Sequence, residues 1–326
     1  MTFDVILPFL RPIEHLIRDD RVSEIMINAH SRVFVERDGD IHEVEGVAIG
    51  EKSLQVAVRN IARALGDEIS EEKPLLDSRL PDGSRVAAVF PPCSVGGVTL
   101  TIRKFQSRHF TAEELTRAGT LTEDLCGKLR EAIEGNRNIL ISGGTGTGKT
   151  TLLNALSAFI PDSERLILIE DTAEIQIDKP NLVRFEARRA QQDLPGVTIR
   201  DLVRAALRHR PDRIIVGEVR GGEAFDLLQA LNTGHSGTLS TIHANSAIQA
   251  LSRLAGCVLE SGVELPYQAI RSSIADSIHM LLHVARHGNR RIVTEFAEVK
   301  GYELETEQYR IESHFKRDAG INLHSR

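Results

Sequence analysis

The sequence predicts an α/β fold in two parts. A smaller α+β N-terminal domain at residues 1–105 and a larger nucleotide-type domain at 121–326 are expected, joined by a linker at 106–120. The chain's 326 residues are long for a single core, which favours two domains. The second half carries short, continuous apolar runs, "NILIS", "RLILIE", "RIIVGE" and "TLSTI", separated by helical stretches. Such runs mark strands buried on both faces of a parallel sheet. Between the halves, "QSRHFTAEELTRAGTLT" turns polar.

In the first part, "RVFVERDGDIHEV" places strand-forming residues on either side of Asp38-Gly39, a hairpin signal. "SLQVAVRNIARAL" sets Leu54, Val58, Ile61 and Leu65 at helical spacing. "RLPDGSRVAAVF" turns at Asp82-Gly83 into a strand, and "VTLTIRKF" reads as another. In the second part, "TIRDLVRAALRHR" opens on a capping box, Thr198 to Asp201, and stops before Pro211. "SIHMLLHVARHGNRRIVTEFAEV" predicts two strands around Gly288-Asn289, and "YELETEQYRIESHF" a charged hairpin with a loose tail after it.

Charge and composition exclude some functions. Net charge is −6 and the pI about 6.1, so a whole-protein basic footprint for nucleic acid is absent. Cys93, Cys126 and Cys257 are far apart, so they read as reduced thiols and build no four-cysteine zinc site. No apolar run reaches the length of a membrane span, and no signal-peptide pattern appears. The apolar opening is interrupted by Pro8 and Pro12 and is expected to pack on its own domain. The chain is therefore expected to be soluble and cytoplasmic, reaching a membrane only through partners.

The strongest motif is "ILISGGTGTGKTT". Gly143, Gly144, Thr145, Gly146, Thr147, Gly148, Lys149 and Thr150 fit G-x-x-x-x-G-K-[ST], followed by Thr151. The motif follows a predicted strand, 138–142, and opens a predicted helix, as it must. Glycines let successive N–H groups curl around phosphate oxygens, and the helix dipole favours the anion. Lys149 would reach the β- and γ-phosphates and the Thr150 hydroxyl would bind Mg²⁺.

Binding is not hydrolysis, so acids are needed. "RLILIEDTAEI" carries Glu170, Asp171 and Glu174 at a strand end, and "PDRIIVGEVRG" carries Glu218. Carboxylates at the C-terminal ends of parallel strands face the ligand crevice. One can hold Mg²⁺, directly or through water, and another can activate the attacking water. Glu174 and Glu218 are the candidates, and either assignment fits the sequence. Arginines suited to developing phosphoryl charge are Arg208, Arg210, Arg213 and Arg220, with Arg79, Arg85, Arg103 and Lys104 in the first part. In "LNTGHSGTLSTIHANSA", His235 and His243 have no third ligand at metal spacing, which disfavours a metal site.

The blocks "GGTGTGKTT", "IEDTAEI", "RPDRIIVGEVRG" and "TGHSGTLSTIHANSA" occur in the order of the secretion ATPase superfamily and resemble its Walker A, Asp, modified Walker B and His boxes. "LLDSRLPDGSRV … GGVTLTIRKF" resembles the branch that includes VirB11, TrbB and CpaF proteins. The likeness runs from about residue 20 to 300. It implies a RecA-like P-loop ATPase domain behind an α+β domain, with ATP and Mg²⁺ as cofactors. It implies a homo-hexameric ring partnered with inner-membrane secretion or pilus machinery, and no sequence-specific nucleic acid. It implies that Arg85 and Arg103 close on the phosphates and that His243, with His235 in the loop before it, senses the γ-phosphate. One cysteine, Cys257, follows the His box, against the zinc insertion of type II and pilus-extension members. The conjugative, type IV secretion branch is favoured, with a CpaF-like pilus or type II-like secretion ATPase as alternative.

A nucleic-acid motor would want a basic, aromatic channel, but the chain has no Trp and is 4% aromatic. A nucleotide-dependent assembly switch with slow turnover fits the same motifs. No NKxD segment marks a GTPase, and no LSGGQ-like signature marks a transporter ATPase.

Overall fold

The computed structural model describes residues 6–28, 32–105, 110–188, 190, 194–288 and 290–317. It divides into two compact units, Met1–Arg108 and His109–Arg326.

The first unit contains α1 (Glu14–Arg18), β1 (Val22–Asn28), β2 (Arg32–Arg37), β3 (Asp40–Glu43), α2 (Glu51–Ala64), β4 (Leu75–Arg79), β5 (Arg85–Val89) and β6 (Thr99–Arg103). Its strands form one antiparallel sheet in the order β3-β2-β1-β6-β5-β4. The β2–β3 hairpin turns where Asp38-Gly39 predicts it. Both residues have positive φ, 53° and 91°, which the tight turn matching strand twist demands. α2 buries Leu54, Val58 and Ile61 in a core shared with Ile25, Val35 and Leu100.

The second unit begins with a departure from expectation. The polar segment read as linker contains α3 (Ala112–Arg117), with a complete capping box between Thr111 and Glu114. Ala112 and Leu115 are buried and join the core of the second unit. Two apolar side chains on a six-residue helix suffice to dock it, but they are too few to give a periodic signal. Residues 106–109 lie outside the described residues.

There follow α4 (Glu123–Glu134), β7 (Ile139–Ser142), α5 (Lys149–Ser157), β8 (Leu166–Glu170), β9 (Leu182–Glu186), α6 (Ile199–Ala206), β10 (Arg213–Val216), α7 (Glu223–Asn232), β11 (Leu239–Ile242), α8 (Ala247–Leu259), α9 (Tyr267–Ser277), β12 (Met280–His287), β13 (Arg290–Glu303) and β14 (Gln308–Lys316). The four apolar runs are β7, β8, β10 and β11, each buried along its whole length. The two terminal hairpins also form, with Asn289 outside the described residues.

Two ladders result, β10-β8-β9 and β11-β7-β12-β13-β14. The first is parallel, as are β11, β7 and β12, whereas β12, β13 and β14 pair antiparallel. Between β10 and β11 the ladder gives way to side chains. Thr238 Oγ1 donates to Ile214 O at 2.7 Å, and Thr241 Oγ1 to Gly217 O at 2.7 Å. One backbone bond, Val219 N–H to Thr241 O at 2.8 Å, completes this seam.

Strand side chains alternate between two cores. Ile139, Ile141, Leu168 and Ile215 face α4 and α5, while Leu140, Ile169, Ile214 and Val216 face the core built on α7, α8 and α9. Helices on both faces of a largely parallel sheet leave its strand ends as the accessible edge. Arg213 is fully buried, its guanidinium held by both oxygens of Glu164 and by Gly237 O. That pairing makes it a structural staple and removes it from the arginines available to a ligand.

Two histidines in this unit make its stability depend on acid. His279 Nδ1 accepts the Asn138 N–H at 2.8 Å, and His283 Nδ1 lies 2.9 Å from Ser142 Oγ. Burial, seconded by Arg137 at His279 and opposed by Glu295 at His283, holds both below the usual histidine range. The unfolded chain therefore binds protons first. Stability should be flat above about pH 6.5 and fall as pH drops below it. Thermal unfolding at pH 7.5 and 5.5 should show that fall, and a His279→Gln/His283→Gln chain should show less of it. An equal fall in both chains would refute the assignment.

Candidate functional site

The carboxyl ends of β7, β8, β10 and β11 lie at one edge, because these strands run parallel. Each hands its next residues to the same crevice: Gly143 from β7, Asp171 from β8, Glu218 from β10 and His243 from β11.

The loop from Gly143 to Gly148 is tightly built. A Cβ on Gly143 would lie 2.5 Å from Val284 O and 2.6 Å from Thr147 Oγ1, so no side chain fits there. Thr147 is buried and donates to Gly144 O at 2.9 Å. Gly148 enters α5 with φ 90°. Thr145 and Gly146 form the exposed tip, while Thr150 and Thr151 are half-buried in the first turn of α5. Lys149 is buried and folds back, donating to Gly143 O at 3.0 Å and Gly144 O at 2.9 Å. Burial pushes its pKa down, against the pull of Glu218.

From Lys149 a ladder of polar contacts crosses the crevice. Lys149 Nζ is 3.4 Å from His243 Nδ1, and His243 Nε2 is 2.7 Å from Glu218 Oε1. An ammonium only donates, so Nδ1 accepts and the neutral ring carries its proton on Nε2, facing Glu218. Partial burial lowers the His243 pKa, with Lys149 and Arg220 acting in the same sense and Glu218 against them. The His243 ring lies 2.7 Å from Glu218 Oε1, yet that buried oxygen has no hydrogen-bond partner among the described residues. Glu218 Oε2 takes Arg220 Nε at 2.7 Å and Nη2 at 2.5 Å. Arg220 Nη1 then lies 3.6 Å from Asp171. Lys149, His243, Glu218, Arg220 and Asp171 thus form one connected group.

Other sequence candidates fall elsewhere. Glu170 is buried, and its Oε1 accepts the N–H groups of Glu174 at 2.8 Å and Ile175 at 2.7 Å. Burial raises its pKa against those bonds. It fixes the loop that carries Asp171 and Glu174. Glu174 sits half-buried on that loop. His235 is at the amino end of β11, the far end from His243, with its ring 3.3 Å from Ala230 O at the C-terminus of α7. It shapes that turn and does not join the group. Arg208 and Arg210 are exposed in the turn after α6.

In the first unit, Arg79 faces Arg85 and Arg85 faces Arg103 across β4, β5 and β6. Like charges in register cost free energy, here offset in part by Asp77 at 3.7 Å from Arg85. Lys104 points instead to Asp19 O at 2.8 Å.

Asn138 is a residue the sequence reading missed. It is buried, and its side chain accepts from Gly237 N and Thr238 N at 2.6 and 3.1 Å, tying the start of β7 to that of β11. A polar residue opening an apolar run was the available signal.

Similarity to known proteins assigns the chain to a family of ATPases. The model for the Type II/IV secretion system protein family matches residues 9–313, and the chain belongs to that family. It is 38% identical over 299 residues to the conjugal transfer protein TrbB of Rhizobium radiobacter, covering 89% of this chain and 88% of that one. It is 32% identical over 330 residues to the type IV secretion system protein VirB11 of Bartonella quintana, covering 90% and 93%. Among solved structures, the pilus retraction motor PilT with bound ADP aligns over 91% of this chain and 84% of that one, at 20% identity and TM-score 0.58. The ATPase DotB of Legionella pneumophila aligns over 93% and 82%, at 19% identity and TM-score 0.59. These two likenesses are of fold. Among the described residues no helix is long and apolar enough to cross a membrane.

Proposed function

We propose that the chain is a Mg²⁺-dependent ATPase that works as a homo-hexameric ring and powers type IV secretion or conjugative transfer from the inner face of a membrane, held there by machinery proteins. The finer reading of the fold is a RecA-like P-loop domain behind an α+β domain. The observation that carries it is the single group of Lys149, His243, Glu218, Arg220 and Asp171 at the strand ends beside a loop that admits only glycine at 143. Similarity to TrbB and VirB11 over nine-tenths of the chain supports the system.

In this reading the loop N–H groups and Lys149 hold the phosphates. Thr150 Oγ1 and a Glu218 oxygen suit an oxygen-seeking divalent cation, and Glu218 Oε1, with only a histidine ring beside it, has capacity for one. When bound, Mg²⁺ neutralises charge on the phosphate oxygens. Glu218 or Glu174 takes the proton of the attacking water. His243 stands between Lys149 and Glu218, so a change at the phosphates is felt at the carboxylate. Arg85 and Arg103 supply positive charge for phosphoryl oxygens.

ATP turnover measured against protein concentration, with mass determined in the same samples, tests the ring. Turnover per chain should rise as the hexamer forms. Turnover by a monomer, constant across concentration, would leave a stand-alone ATPase in its place.

A further inference from the structure

The tip of the β12–β13 hairpin is basic. Arg286 faces Arg291 across it and His287 faces Arg290, and no acid stands between Val284 and Val293. Directly opposed like charges destabilise a hairpin, so this pairing has a cost that the fold alone does not explain. Alternation along β13 sends its two arginines opposite ways. Arg290 lines a groove of about 350 Å³ with Arg117, Arg317 and Thr122. Arg291 lies over the phosphate loop. Its Nε donates to Gly146 O at 3.2 Å, and its Cδ is 3.0 Å from where a Cβ on Gly148 would stand. Its two Nη groups have no acidic partner among the described residues. The stem therefore rests on the loop while the charged end stays available beside it.

We infer that Arg291 is a further nucleotide-binding residue, whose guanidinium takes an oxygen of the bound polyphosphate. This rests on the phosphate-loop reading of the site. The placement supplies what such a contact needs. The residue is anchored through its stem and Nε to the loop that cradles the anion, so little freedom is lost on binding. It donates two further N–H pairs, and it stands on a hairpin that brings positive charge to an acidic protein at this edge.

The test uses the full chain and two probes, ADP and inorganic pyrophosphate, with dissociation constants measured by calorimetry. Arg291→Gln keeps a donor for Gly146 O and removes the charge. It should weaken both probes by about tenfold, the scale of one charge-assisted hydrogen bond. Arg291→Lys should recover part of the loss, and Arg290→Ala should bind both probes as the wild type does. Weakening of ADP alone would place Arg291 at the base or sugar and overturn the phosphate contact. Wild-type binding of both by Arg291→Gln would reduce Arg291 to a shaper of the loop. Lys149→Ala separates the two readings: if it binds ADP like wild type, the phosphate-loop site itself fails, whatever Arg291 does.

Discussion

Glu218→Gln is expected to bind ATP close to normally and to hydrolyse it about 10²–10⁴-fold more slowly, the range lost when a positioned general base is removed. The amide keeps the size of the carboxylate and its one oxygen can still accept from Arg220, while its NH2 on the other side faces His243 Nε2, where the carboxylate had an oxygen. It cannot take a proton from water. Its oxygen is also a poorer partner for a divalent cation, so the Mg²⁺ dependence of what activity remains should change. Single-turnover hydrolysis with ATP binding measured in parallel checks both halves. Wild-type turnover would sink the assignment of Glu218. Loss of binding together with turnover would make Glu218 a nucleotide ligand first, and would shift the base to Glu174.

Lys149→Ala should remove nucleotide binding and turnover together. The side chain is buried and holds two loop carbonyls, at Gly143 and Gly144, in the free protein. Losing it costs the phosphates a cation in a partly desolvated site, where a charge-assisted hydrogen bond contributes about 1.5–3 kcal/mol, or roughly 10–100-fold in affinity. It also frees the Nδ1 side of His243, so the ring no longer has a fixed tautomer toward Glu218. Calorimetric titration with ADP, beside a melting curve to show that the chain is folded, is the measurement. Wild-type ADP binding would overturn the phosphate-loop reading of the site, even if turnover were lost.

Much of this was legible in the sequence because it is local. Four continuous apolar runs can only be strands buried on both sides, and they are. The glycine loop, the lysine and the helix after it follow from spacing alone. Thr198 and Asp201 cap α6 through a pattern three residues long. What the sequence hid depends on which strands become neighbours. Reading "TLSTI" as a strand already sets His235 before it and His243 after it, but which groups each then meets depends on the neighbouring strands. Arg213 and Arg220 both flank Glu218 in sequence, yet one is locked on Glu164 in the interior and the other on Glu218 itself. Glu170 and Asp171 are adjacent, and alternation turns one inward and the other out. Arg291, 145 residues from Gly146, could not be paired with the loop before the hairpin was placed.

The seam between β10 and β11 has a mechanical meaning. Asp171 and Glu218 ride on one side of it, while the phosphate loop and His243 ride on the other. Continuous ladders of backbone bonds hold each side together. Among the described residues, two threonine hydroxyls, one backbone bond and the Arg213 Nη1 bond to Gly237 O stand across the seam, where a neutral hydrogen bond contributes about 1 kcal/mol. Motion of one side against the other would act directly on the 2.7 Å contact between His243 and Glu218. The acid and the histidine beside it thus sit on opposite banks of the joint, and any sliding of the two half-sheets past one another is read out at the chemistry.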